Sequence, residues 1–469
     1  MMLPNLKNQY DSASLSLLTG KFGEQGYTEY AISELLGLWD ISELSGAHYA
    51  QYCWRCRPNK KPVSLLVQAF LLGLPGTKSR FERLLGPDGL QALLDCGLMM
   101  EEGGLFSASC AVYPCLGRLL FTDHWACDGA QQPGKVYELG TDSYVLARVT
   151  PRKEGKALDL CTGSGVHAVM SARTHCSWAV DINPRALEFT HFNAALQGVE
   201  VRTCLGDLYD PTENEKFDLI TANPPFVPSP DREVLIHRSA GETGEEVPER
   251  LVGGLPEKLE SDGLFSMVLE HPVYEDETYL DRLERWLGET SGWGIAVLNF
   301  REYPVPQYVL QHLGGVSDQE AAYNDYLKSY DRLGIKAMRF ANVFIKRLPY
   351  QTKNWKVLQN TPWPNIDISD QVGEWLEALT TYNDPSWKPD PSWRPRLSPR
   401  YTDLWSNSDG TRGTLQMAED TWLEPEALNQ DELRLLARVM DGEPSIEELS
   451  ELDGFENALQ GLGRRRAIL

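Results

Sequence analysis

Apolar positions recur at helical spacing through the first hundred residues and at strand spacing through most of the next two hundred and fifty. Over 1–61 the recurrences are helix-like, as in YAISELLGLWDISEL, and charges balance. From Pro62 to Asp123 the pattern predicts short helices over PVSLLVQAFLLG, KSRFERLLG and DGLQALLDCGLM. Glu101-Glu-Gly-Gly104 and the strand-like runs LFSASCAVYP and GRLLFTD follow. Three helices and a hairpin are the order of a winged-helix module. After a loop from Asp128 to Gly134, strands alternate with helices to about Leu348. The predicted strands are KALDLC, SWAVDI, EVRTCL, FDLITA, LFSMVLEH, GIAVLNF and NVFIKRL, with helices such as Pro184 to Gln197 and Asp318 to Arg332. This alternation predicts an α/β fold built on a seven-stranded, doubly wound sheet.

Beyond Leu348 the alternation is expected to end. Asp384 to Arg400 repeats Pro-Ser-Trp-x-Pro and reads as a stiff surface linker, because proline density of this kind continues neither helix nor central strand. An acidic, helix-patterned segment follows. The expected division is a helical and winged-helix-like domain over 1–134, a catalytic domain over 135–350, and a Pro/Trp-rich linker with an acidic extension over 351–469.

Composition narrows the function classes. With 42% hydrophobic and 24% charged residues in 469, the chain has the makings of buried cores. A net charge of −23 repels a phosphate backbone, and the candidate recognition helix, Asp88 to Met100, contains no Lys or Arg, so nucleic acid is disfavoured as a partner. The apolar run Pro62 to Gly73 stops short of the ~20 residues a membrane span needs. No membrane span is predicted, and the N-terminus lacks secretory-signal features. The nine cysteines, all between Cys53 and Cys204, have no dense disulfide spacing. Free thiols and a cytoplasmic address are expected.

The residues that carry chemistry fall at strand ends. Asp159-Leu-Cys-Thr-Gly-Ser-Gly165 follows KALDL and precedes a helix, placing a carboxylate and two glycines where the backbone turns beside a ligand, with Cys161 where a first glycine is expected. Asp181 ends the second strand, at about the ~20-residue interval at which such folds set a carboxylate on ribose hydroxyls. An acid at 159 repels phosphate and suits an ammonium group, so the ligand reads as a nucleoside bearing an amino acid. Gly206-Asp207-Leu208 offers an acceptor for an exocyclic amine of adenine. Asn223-Pro224-Pro225-Phe226 follows FDLITA: an amide oxygen and a carbonyl held by consecutive prolines, beside a flat ring, suit a planar NH2 group. So held, a nitrogen presents its lone pair to an electrophilic methyl.

With DLCTGSG, VDINPRAL, GDL and NPPF in this order, the segment from about Tyr137 to Leu348 resembles the class I S-adenosyl-L-methionine-dependent methyltransferases, in their Asn-Pro-Pro-Phe/Tyr amino-methyltransferase branch. The resemblance implies a Rossmann-like methyltransferase sheet, with S-adenosyl-L-methionine as cofactor. It implies that Asp159, Thr162, Gly163 and Gly165 meet the methionine moiety, Asp181 the ribose, and Asp207 and Leu208 the adenine. Asn223, Pro224 and Phe226 then serve the substrate nitrogen as the catalytic group. Leu139-Gly-Thr-Asp142-Ser143 resembles a segment covering cofactor or substrate, and Gly241-Glu-Thr-Gly244 a turn that follows the NPPF loop.

The implied enzyme methylates a nitrogen of a peptide, a protein side-chain amide or a small metabolite. The alternatives are a ribosomal or transfer RNA base N-methyltransferase and a regulatory protein that retains the cofactor. Cys53-Trp-Arg-Cys56 with Cys110, Cys115, His124 and Cys127 lacks a second CxxC pair, and His167, His175 and His191 share no ligand spacing, so no metal is expected. Oligomeric state and the substrate itself stay open at this level.

Overall fold

The computed structural model describes residues 11–124, 134–172, 177–228, 241–288, 291–313, 316–349, 353–399, 401–406, 412–417, 427–442 and 444–468; Cys127 and His175 lie outside them. Its central sheet contains eight strands: β1 (Ala157–Leu160), β2 (Ser177–Asp181), β3 (Val201–Leu205), β4 (Phe217–Ala222), β5 (Leu259–Val273), β6 (Trp293–Pro304), β7 (Ala337–Arg347) and β8 (Trp355–Asn360). They lie in the order β3-β2-β1-β4-β5-β7-β6-β8. β1 to β5 are parallel, β7 is antiparallel to both β5 and β6, and β8 is parallel to β6. Strand order reverses beside β1, so the crevice past the carboxyl ends of β1 and β4 is the expected ligand position in an open sheet of this kind.

All seven predicted strands are present, but the count of seven is corrected to eight. β8, WKVLQN, is an edge strand that buries Trp355 and exposes Lys356, and its mixed polarity conceals it in the sequence. The expected end of the alternation at Leu348 is likewise corrected. The helix Ser369–Asn383 lays Val372, Trp375, Leu376 and Leu379 into the same core as Phe340, Phe344 and Trp355.

The two faces of the sheet are covered differently. Leu219, Leu264 and Val268 pack with Val145, Leu146 and Val149 of the helix Thr141–Val149. Ile220, Ala222, Phe265, Met267 and Leu269 pack on the other face with Leu251 and Leu255 of Glu246–Lys258 and with Leu283 of Tyr279–Leu287. Alternation along each strand therefore sends Thr221 and Asn223 to the same side as Leu219, and Ser266 and Glu270 to the same side as Leu264.

Before the sheet, helices Ser12–Glu24, Glu29–Leu36, Tyr49–Cys56, Pro62–Phe70 and Lys78–Asp95 surround two small antiparallel sheets. Lys78–Asp95 is bent at Gly86, whose φ of 76° precedes Pro87, so the two predicted helices meet at a kink. The predicted strand LFSASCAVYP divides at Ser109: Leu105–Ala108 pairs with Met99–Glu102, and Cys110–Cys115 pairs with Arg118–Asp123. Leu18, Phe22, Phe70 and Phe121 share one core with Phe189 and Phe192 of the helix Pro184–Leu196. Asn193 on that helix exchanges hydrogen bonds with the Phe121 backbone at 2.9 Å in each direction and donates to Ser164 O at 2.8 Å. The N-terminal hairpin is thus tied to the Gly-containing loop after β1.

A third tie is an ion pair. Arg148 is 1% exposed and donates to both Asp40 oxygens at 2.8 and 3.0 Å, to Glu29 at 2.8 Å and to Pro364 O at 3.1 Å. Burial draws the guanidinium's pKa down, but Asp40 and Glu29 more than offset it and the net shift is upward. In the C-terminal region, Asp384 and Asp390 each cap a Ser-Trp turn, and Trp387 and Trp393 pack against a separate core that includes Leu433, Leu436 and Leu459. Among the described residues, no helix is long and apolar enough to cross a membrane.

Candidate active site

The loop after β1 is built around Asp159, which is 1% exposed. Its Oδ2 accepts from the Thr162 hydroxyl at 2.6 Å and from Ala168 N at 3.2 Å, and its Oδ1 accepts from the Thr221 hydroxyl at 2.9 Å. Burial pushes the carboxyl up to about 7 against these hydrogen bonds. With both oxygens engaged, Asp159 fixes the loop and joins it to β4.

Asp181, at the end of β2, accepts from Gly163 N and from Asn183 N, each at 2.9 Å, and burial raises its pKa. A carboxylate has about four acceptor positions, so further hydroxyl donors can still be accommodated. Gly163 (φ 53°) would place a Cβ in open space, whereas a Cβ on Gly165 (φ 81°) would lie 2.9 Å from the Thr190 Cα. The first glycine leaves the crevice clear and the second lets the loop pack on a helix.

Cys161 has φ 56°, the left-handed conformation that favours glycine. Burial first, then the charges of Asp181, Asp159 and Asp207, push its thiol pKa up. Cys161→Gly is expected to raise stability by about 0.5–1 kcal/mol, the relief of left-handed strain less the entropy of glycine. Urea unfolding checks this; a variant less stable than the parent by 1 kcal/mol contradicts it.

Asp207 is about half exposed, and its Oδ2 accepts from Arg250 at 2.7 Å. Arg250 is absent from the sequence reading, since nothing in its neighbourhood announces a partner 43 residues away. Leu208, with φ 48°, is buried in the same apolar cluster that Cys161 and Phe226 border.

Past β4, Asn223 donates its Nδ2 to Asp142 Oδ2 at 3.0 Å, with Ser143 Oγ at 3.5 Å. A carboxylate has no proton to give, so the amide must turn its nitrogen toward Asp142, leaving Oδ1 as the outward acceptor. Behind the loop, Gly244 (φ 77°) has no room for a Cβ against the Phe226 carbonyl and Pro228, so the Gly241-Glu-Thr-Gly244 turn supports it closely. Tyr330 donates to Pro228 O at 3.0 Å. Glu270 on β5 accepts from Tyr308 at 2.8 Å; burial pushes it up to about 7, with the Asp142 charge adding to the rise. The sequence singles out neither Glu270 nor Tyr308.

The loop at 159–165, Asp181, Asp207 and the Asn223 loop thus line one end of the sheet. A clear cradle at Gly163, carboxylates on successive strand ends and an apolar wall from Leu208 fit a nucleoside joined to an amino acid. His167 and His271 are buried, with pKa values drawn down to about 3 chiefly by burial, and each leaves its Nε2 without a hydrogen bond. Among the described residues, no three His, Cys, Asp or Glu side chains converge to hold a metal.

Residues 137–291 match the family model of the methyltransferase small domain. Methyltransferase HEMK2 of Homo sapiens is 32% identical over 151 residues, 28% of this chain and 71% of that protein. A ribosomal protein uL3 glutamine methyltransferase of Bradyrhizobium diazoefficiens is 35% identical over 127 residues, 24% of this chain and 40% of that protein. A putative protein N5-glutamine methyltransferase of Methanocaldococcus jannaschii is 28% identical over 152 residues, 31% of this chain and 77% of that protein. The matched segment therefore spans less than half of the uL3 enzyme and about three quarters of the other two. The chain belongs to the methyltransferase small-domain family.

Proposed function

We propose that the protein transfers a methyl group from S-adenosyl-L-methionine to the nitrogen of a protein side-chain amide. The observation that carries this reading is the Asn223 amide, whose orientation Asp142 dictates. Asn223 Oδ1 and the Pro224 carbonyl accept the two N–H groups of the target, and Phe226 stacks on its plane. The bound cofactor supplies the electrophilic methyl. The acceptors hold the nitrogen so that its lone pair points along the line of transfer. In this reading Thr162, Gly163 and Gly165, held by Asp159, form the bed for the amino-acid part. Asp181 binds the ribose, and Asp207 with Leu208 the adenine.

Two features support a protein over a nucleic-acid acceptor. The net charge is −23, and relatives in the matched segment bear the names of protein glutamine methyltransferases. The helix Pro62–Phe70, the strand Gly76–Thr77, the kinked helix and the strands Met99–Glu102 and Leu105–Ala108 make a winged-helix-like unit within a domain over 1–134. The domain over 1–134 braces the catalytic domain, 135–350, through Asn193 and Arg148, and the region over 351–469 adds β8 and the helix Ser369–Asn383 to the catalytic sheet before its own core. Cys53, Cys56, Cys115, Cys161 and Cys204 are free thiols, in keeping with a cytoplasmic setting.

Incubating fractionated cell extract with the protein and methyl-labelled cofactor tests the reading: label is expected in protein, and label confined to RNA or to small molecules overturns it. For the cofactor site, Asp181→Ala is expected to weaken S-adenosyl-L-methionine binding by about 1.5–3 kcal/mol, the range for hydrogen bonds to a charged group. Calorimetry giving equal affinities for parent and variant removes Asp181 from the site.

A further inference from the structure

The acceptor pocket has a second wall. Asn223 extends the face of β4 that carries Leu219 and Thr221, and Glu270 extends the face of β5 that carries Leu264, Ser266 and Val268; both faces lie under the helix Thr141–Val149. The register sets Met267 opposite Ala222, so Asn223 lies one residue past the carboxyl end of β4 and Glu270 three residues past the same level on β5. Asp142, in the first turn of that helix, acts on both: it accepts from Asn223 at 3.0 Å, and its charge raises the Glu270 pKa.

Glu270 is held from its other side. The segment between β6 and β7 folds into the helices Val305–Leu310 and Gln319–Arg332, whose Tyr308, Tyr326 and Tyr330 form an apolar cluster with Met338. From this cluster Tyr308 donates to Glu270 Oε2 at 2.8 Å and Tyr330 to Pro228 O at 3.0 Å. One insertion therefore positions both Glu270 and the exit of the Asn223 loop. A carboxyl held by a single phenol keeps its second oxygen for another partner, as acceptor when ionised and as donor when protonated, and nothing in the proposed transfer employs it.

We propose that Glu270, oriented by Tyr308, contacts the acceptor group directly from the side opposite Asn223 and selects a primary carboxamide. This rests on the amide reading above. Asn223 Oδ1 and the Pro224 carbonyl satisfy the two N–H groups of such an amide, which leaves its carbonyl oxygen in need of a donor in a site lined by acceptors. Glu270 in its protonated form is that donor, while Tyr308 occupies its other oxygen. Its titration near neutrality supports this assignment. The titratable groups facing it are the carboxylate of Asp142 from the helix and the neutral phenols of Tyr303, Tyr308 and Tyr330 from β6 and the segment that follows it. A secondary amide lacks the second N–H, so the product fits less well than the substrate.

The test is a binding measurement that needs no natural substrate. The probe is an analogue of S-adenosylhomocysteine in which nitrogen replaces sulfur and bears a two-carbon arm ending in a primary carboxamide; S-adenosylhomocysteine is the reference. The parent is expected to bind the probe more tightly than the reference. Glu270→Ala and Tyr308→Phe are each expected to reduce probe affinity about tenfold or more, the scale of one buried hydrogen bond, with the affinity for S-adenosylhomocysteine unchanged. Tyr308→Phe keeps the ring, so it reads the hydroxyl alone if Glu270→Ala fails to fold. Undiminished probe affinity in both variants overturns the role of Glu270 and leaves the amide reading standing. A parent that binds the probe no more tightly than the reference overturns the amide reading and this subsite together.

Discussion

Asn223→Ala is expected to lower turnover by about two to three orders of magnitude while leaving S-adenosyl-L-methionine affinity unchanged, because its amide oxygen orients the target nitrogen and touches no part of the cofactor in the proposed arrangement. Asn223→Asp keeps an acceptor oxygen but places a second carboxylate against Asp142, 3.0 Å from the present amide nitrogen. Like charges at that distance repel, so the Asp variant takes up a proton or turns away. It is expected to fall between alanine and the parent. Single-turnover rates with calorimetric cofactor affinities separate the two effects. Wild-type turnover in the alanine variant removes Asn223 from the chemistry.

The second large effect is structural. Arg148→Ala is expected to cost about 3–5 kcal/mol, since it leaves Asp40 buried beside a lost partner. The side chain joins four pieces of chain through Glu29, Asp40, its own helix and Pro364. That helix carries Asp142, so the same brace that unites the N-terminal helices with the sheet also sets the residue that orients Asn223. Arg148→Lys keeps the charge but loses the fork that reaches both Asp40 oxygens, and is expected to recover only part of the loss. Urea unfolding of the full chain measures both. A loss under 1 kcal/mol in the alanine variant contradicts the bracing role.

Where local pattern and tertiary role coincide, the fold is readable in the sequence. KALDL, SWAVD and FDLITA are short apolar runs because parallel strands covered on both faces have no polar side to show. β8 escapes that reading for the opposite reason: as an edge strand it alternates Trp355 with Lys356 and resembles a loop. LFSASCAVYP reads as one strand because periodicity cannot show that the chain changes sheet at Ser109. At the candidate site, the strand-end residues Asp159, Asp181, Asp207 and Asn223 stand out through motif and spacing. Their pairings do not, although the segment that carries Asp142 is marked by resemblance. Asp142 lies 81 residues before Asn223, Arg250 lies 43 after Asp207, and Glu270 pairs with Tyr308 across an insertion. Contacts of that range leave no periodic trace, so only the folded chain reveals that the amide oxygen of Asn223, and not its nitrogen, faces outward and that a second acid stands beside it. Cys161 is the intermediate case: its departure from glycine is visible in the sequence, and its φ of 56° shows that the loop keeps the turn with a cysteine in it.

A methyl group carried on an amide nitrogen of a protein is distinguished from one on oxygen or on an amine by the chemistry of the product. Protein labelled by the enzyme with isotopic methyl groups is divided, one portion treated with mild base and the other hydrolysed in strong acid. An N-methyl amide survives mild base and releases labelled methylamine in acid, as the amide bond is cut. That pattern is expected; label lost to mild base as methanol, or retained after acid hydrolysis on an intact amino acid, rules out methylation of an amide nitrogen.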